Sequence, residues 1–90
     1  MLYALCYKEL IMNYTHKQDT EILKFLAQYP FEEIDFGGDI GCTQIIGVNY
    51  ASQEILLRDF CEYTVAEIIE SEGFRDKEID KTWKEFLNSL

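Results

Sequence analysis

The spacing of apolar residues changes period along the chain, and each change marks an element. In "MLYALCYKELIMNY", Tyr3, Tyr7, Leu10 and Tyr14 recur at steps of four, three and four, among residues that favour helix. This predicts a first helix, although the shorter run "LYALCY" also reads as a buried strand. In "DTEILKFLAQYP" the stripe Ile22, Leu26 and Tyr29, flanked by Leu23 and Phe25, predicts a second helix. Asp19 or Thr20 serves as its N-cap, and Glu21 suits the positive end of its dipole. Pro30 ends it, having no amide proton and restricting the residue before it.

Beyond Pro30 the period falls to two. Ile34 and Phe36 precede the turn-like "GGDIG", and Cys42, Gln44, Ile46, Val48 and Tyr50 then alternate. This predicts two strands joined by a glycine-rich connection in which Gly37, Gly38 and Gly41 supply positive φ. Such a hairpin is marginal alone, so a third strand is expected from the N-terminus or from the hairpin of a second subunit.

From Ser52 the pattern fits a long helix ending near Gly73. Phe60, Thr64, Leu57, Ile68, Cys61, Val65 and Ile69 fall in one arc at 100° per residue, with Ser52 as N-cap and Gly73 at the C-terminus. The opposite side carries Asp59, Glu62, Glu67 and Glu70 interleaved with Leu56 and Tyr63. Asp76 caps a last helix with the stripe Ile79, Trp83, Phe86, Leu87 and Leu90. The expected architecture is α+β over a single domain, residues 1–90. It has two N-terminal helices (the first alternatively a strand), a central antiparallel β-hairpin and a C-terminal αα-hairpin.

Composition supports a folded chain: 48% of the 90 residues are hydrophobic and 14% aromatic, enough for one modest core. Charge adds more. Seventeen acids against eight bases leave −9, and residues 31–80 hold thirteen of the acids against Arg58, Arg75 and Lys77. Such a field repels phosphate backbones and anionic lipid and attracts basic surfaces, so neither direct nucleic-acid binding nor membrane binding is expected.

Candidate chemistry is sparse. Cys6, Cys42 and Cys61 are odd in number and widely spaced, which fits neither a disulfide framework nor a zinc site. Buried free thiols in a reducing compartment are expected instead, and "MLYALCY" is too short for a secretion signal, so a cytoplasmic location is expected. His16, the one histidine, is expected in a polar loop without a catalytic partner. Glu67 and Glu70 have i, i+3 spacing but no accompanying histidine, and the position twelve from Asp35 is Ile46 rather than the glutamate a calcium loop needs. No enzyme activity, metal or cofactor is expected.

What remains is the acidic surface. The expectation is a non-enzymatic interaction domain of the inhibitor or immunity type, which mimics the charge of nucleic acid to bind a basic, nucleic-acid-handling protein. The expected contacts are Asp59, Glu62, Tyr63, Glu67 and Glu70, with Glu32, Glu33, Asp35 and Asp39 as a second patch. The alternative is a structural subunit that forms a homodimer or larger oligomer through the hairpin or the outer helix face, with acidity serving solubility.

Overall fold

The computed structural model describes residues 14–59 and 61–90, so the expected first helix, Cys6 and Phe60 lie outside the described residues. The elements are α1 (His16–Ala27), β1 (Glu33–Asp35), β2 (Cys42–Asn49), β3 (Glu54–Leu57), β4 (Glu62–Thr64), α2 (Val65–Ile69), β5 (Gly73–Phe74) and α3 (Lys77–Ser89). The strands form one antiparallel sheet in the order β4-β3-β2-β1-β5, an α+β architecture with three helices among the described residues.

Helix α1 begins earlier than its expected cap. Thr15 is the N-cap in a reciprocal capping box with Gln18, which makes His16 the first helical residue rather than part of a loop. Ile22, Leu23, Phe25 and Leu26 are buried as its apolar stripe predicts. The hairpin β1–β2 forms in register Glu33↔Gln44, Ile34↔Thr43 and Asp35↔Cys42. Asp76 caps α3, and Trp83 is its buried residue.

The long helix from Ser52 does not form, so there is no C-terminal αα-hairpin. Asn49 Oδ1 accepts from the amides of Ala51 and Ser52 at 3.0 and 3.1 Å, and Gln53 takes φ +57, which sets a turn where a helix N-cap was expected. The Gln53 side chain ties that turn to α1, donating to the His16 carbonyl at 3.2 Å and to Thr20 Oγ1 at 3.1 Å. Glu54–Leu57 then pairs with β2 and buries Ile55 and Leu57 while Leu56 faces away. Asp59 Oδ1 accepts from the Cys61 amide at 2.9 Å and turns the chain into β4. Only at Thr64 does a helix start, held by a capping box with Glu67. Side chains that share an arc on a helix are divided between two faces by a strand.

The third strand expected beside the hairpin is present on both flanks, and this chain supplies it: β3 pairs with β2, and β5 with β1. At residue 46 the ladder slips, because Ile45 faces Leu57 but Gly47 faces Leu56, leaving Ile46 as a bulge. Phe31, at φ +67, donates its amide to the Ile45 carbonyl at 2.7 Å and fixes the helix-to-strand connection at that same point.

One sheet face carries Ile34, Ile45, Ile55, Leu57 and Phe74, all buried, and the helices pack on it. Between α1 and α3 lies an aromatic cluster with Phe25–Phe86 centroids 4.7 Å and Phe25–Trp83 centroids 5.4 Å apart. Among the described residues, no polar or charged side chain is buried, and the ten acids of residues 31–74, opposed by Arg58 alone, lie at the surface or partly covered. The thiols differ from expectation: Cys42, on the opposite sheet face, and Cys61, in the β3–β4 turn, are exposed.

Both sheet edges are short, and each has an outward amide already bonded. Phe74 donates to Asp80 Oδ1 at 3.0 Å, and Lys84 holds the other oxygen of Asp80 at 2.8 Å. On the far edge the Thr64 amide donates to Glu67 Oε1 at 2.8 Å. Gly73 is required beside Asp80. Its φ is +99, and a Cβ there would overlap the Asp80 carboxylate. Gly73→Ala is therefore expected to cost about 2 kcal/mol or more, from the left-handed backbone and the lost Phe74–Asp80 contact, read as a fall in the denaturant midpoint. An unchanged midpoint would show that this edge carries no strain.

Candidate functional site

The connection between β1 and β2 is the first wall of the site. Asp35 Oδ1 accepts from the Gly37 amide at 2.7 Å, the Gly41 amide donates back to the Gly37 carbonyl at 3.1 Å, and the Phe36 amide donates to the Gly41 carbonyl at 2.9 Å. Gly37, Gly38 and Gly41 all have positive φ, which closes the loop tightly. The loop has no interior, so Ile40 is left 62% exposed at its tip beside Asp39.

The second wall is β4 running into α2. Tyr63 lies opposite Ile55 and so points to the helix side of the sheet, where its ring stacks on Phe36 at 5.1 Å between centroids. One turn on, Glu67 and Glu70 project from α2 and its C-cap. Phe36, Ile40, Tyr63, Glu67, Glu70 and Ser71 together line a groove of about 230 Å³. Its floor is aromatic and aliphatic, and its rim is carboxylate.

The electrostatics are one-sided. The Tyr63 hydroxyl donates to Asp59 Oδ2 at 2.8 Å. That bond, followed by desolvation and the nearby negative groups, pushes the phenol up to about 12, so it stays protonated at neutral pH. The ion pairs among the described residues are Lys24–Glu21, Arg75–Glu33 and Lys84–Asp80, so none involves Asp59, Glu67, Glu70 or Glu72. Arg58, the one base between residues 31 and 74, donates to Gln44 Oε1 at 2.7 Å instead. Such a groove attracts a cationic surface and offers apolar area to anchor it.

The residues expected from the sequence divide among three places. Asp59, Tyr63, Glu67 and Glu70 meet at the groove, and Asp39 stands in the loop that forms its tip. Glu62 lies opposite Leu56 on the other sheet face, so it does not join Tyr63, and Leu56 does not share a face with Tyr63 as the helix would have required. Glu32 and Glu33 line a separate hollow with Phe31, Gln44, Arg75 and Asp76, where Arg75 neutralises Glu33 at 2.9 Å. Asp35 is occupied with the Gly37 amide. Sequence reasoning missed Phe36 and Ile40 as site residues. The available signal was an isoleucine inside a glycine turn, where nothing local can bury it.

Among the described residues no group of three or more His, Cys, Asp or Glu is arranged to hold a metal ion, and no helix is long and apolar enough to cross a membrane. Comparison of the chain with protein-family models, with curated proteins and with solved structures finds no match.

Two titrations test this electrostatic picture. One tyrosine is expected to ionise near pH 12 in an ultraviolet titration, and Asp59→Asn to bring it back toward the ordinary value of about 10. Because the folded pKa is raised, this contact stabilises the fold below about pH 10 and is lost as pH climbs toward 12. Six tyrosines ionising together near their ordinary value would contradict the Tyr63–Asp59 bond.

On the other sheet face the Glu62 carboxyl is raised, first by a shared hydrogen bond with Glu54 and then by its negative charge. A raised folded pKa gives stability that is full below the ordinary glutamate value and lost as pH rises through the folded one. Glu62→Gln keeps a donor and removes the repulsion. It is expected to raise the melting temperature at neutral pH and to leave it unchanged in acid. An equal effect at both pH values would mean the two carboxyls do not interact.

Proposed function

We propose that this chain is a non-enzymatic interaction domain of the inhibitor or immunity type. Its target is a basic, nucleic-acid-handling protein, held in the groove between the β1–β2 loop and the β4–α2 segment. The observation that carries this reading is the exposed Ile40 and the Phe36–Tyr63 stack, ringed by carboxylates that pair with no cation among the described residues. The negative field steers a cationic partner and sets the association rate. Burial of Ile40 and of the aromatic edge then sets how long the complex lasts.

The alternative, an oligomer built through the hairpin, has less to support it. Strands β1 and β2 lie inside the sheet with neighbours on both flanks, and the outward amides of Thr64 and Phe74 are already bonded. A second subunit adding a strand would therefore meet edges that are already partly bonded.

The test is affinity capture from lysate at low and high salt, followed by binding measurements on the captured protein. Glu70→Lys suits the helix terminus, and Glu67→Gln keeps the capping box as Gln18 does in the Thr15 box, so both variants are expected to fold. Together they are expected to slow association about tenfold at low salt and hardly at all at high salt. Ile40→Ala is expected to weaken binding by about 2 kcal/mol, mainly through faster dissociation. Salt-independent binding, or full affinity in the charge variants, would overturn the reading.

A further inference from the structure

The sheet face turned away from the helices has a second arrangement, separate from the groove. Three strands set their side chains there in two rows: Gly47, Leu56 and Glu62 in one, Asn49, Glu54 and Thr64 in the next. Because Gly47 has no side chain, Leu56 is open on its β2 flank. The result is a depression of about 260 Å³ with Gly47 and Leu56 at its base and Glu54 and Glu62 at its wall. Among the described residues the helices pack on the opposite face.

The two glutamates occupy diagonal positions on neighbouring strands, and both line the depression. Neither takes part in an ion pair among the described residues. Like charges side by side on an open sheet destabilise it, and a cation between them would relieve the repulsion. An apolar base two carboxylates wide has the form that an arginine side chain complements. Its stem covers aliphatic surface, and its planar fork offers parallel donors to two oxygens.

We infer that this open sheet face is a docking surface for an arginine presented by a basic protein, with the stem over Gly47 and Leu56 and the guanidinium between Glu54 and Glu62. Charge decides the occupant. A second copy of the chain would bring carboxylates against carboxylates, and nucleic acid or anionic lipid would be repelled. Strand β4 is the shared wall, since Glu62 faces this depression while Tyr63, the next residue, faces the groove. The inference does not depend on the groove.

Gly47 supplies the test. Its φ is not positive, and no atom lies within 4 Å of a Cβ placed there, so Gly47→Val fills the depression while suiting a strand. The probe is a hexa-arginine peptide, titrated into the whole isotope-labelled chain and followed by amide chemical shifts. The expected shifts fall on Gly47–Asn49, Glu54–Leu56 and Glu62. Affinity at these resonances should drop about tenfold in Gly47→Val and in Glu54→Gln/Glu62→Gln, but not in the groove variant Glu70→Lys. A hexa-lysine peptide should bind the same place more weakly. Shifts confined to Phe36, Ile40 and Tyr63, undiminished binding in Gly47→Val, or equal binding of the lysine peptide would each overturn the arginine site. So would sedimentation showing self-association that Gly47→Val abolishes, because the occupant would then be a second copy.

Discussion

The fold depends on β2 keeping one face toward the helices while it serves two sets of neighbours. Its first half pairs with β1 and its second half with β3, so the strands on either flank take their orientation from it. Ile45 pairs with Leu57 and Val48 with Ile55, and all four must face the core. Those β2 residues are three apart, an odd interval that regular alternation would place on opposite faces. The bulge at Ile46 absorbs the extra residue and restores parity. Phe31 is bonded to the Ile45 carbonyl at that point, so the path from α1 into the sheet is fixed by the same irregularity.

The charge follows the layers of the fold. Residues 31–74, which form the sheet, its turns and α2, hold ten acids and one base, whereas the segments bearing α1 and α3 balance. Some of these carboxylates have local work. Asp35 and Asp59 close turns, Glu67 caps α2, and Glu33 pairs with Arg75. Glu32, Asp39, Glu54, Glu62, Glu70 and Glu72 accept no bond from a backbone amide or a cation among the described residues. Local structure does not require their charge. This separates carboxylates that hold the fold from those that local structure leaves unbonded, and among the latter Glu70 lies on one side of β4 and Glu54 and Glu62 on the other.

Strand β4 makes that two-sided display possible. It is an edge strand of three residues whose outward amide at Thr64 is closed by Glu67, so it presents side chains rather than a template for strand addition. Alternation sends Glu62 to the open face and Tyr63 toward Phe36. Residues adjacent in sequence thus belong to different surfaces, whereas Phe36 and Tyr63, far apart in sequence, share one.

The sequence by itself determined the elements with strong local signals. Helix α1 ends ahead of Pro30, the glycines at 37, 38 and 41 turn the hairpin, and Asp76 starts α3 with Trp83 on its buried stripe. The segment from Ser52 to Thr64 was decided by tertiary structure. Leu57, Phe60, Cys61 and Val65 satisfy a helical period, but burial of Ile55 and Leu57 against β2 satisfies more, and periodicity carries no knowledge of that partner. Local hints of the outcome existed in the Asn49 turn and the Thr64–Glu67 capping box, both outweighed by the longer pattern. The same division governs the groove. Tyr63, Glu67 and Glu70 lie together because they are near in sequence, but Phe36 and Ile40 reach them only through the sheet order, which no local spacing encodes.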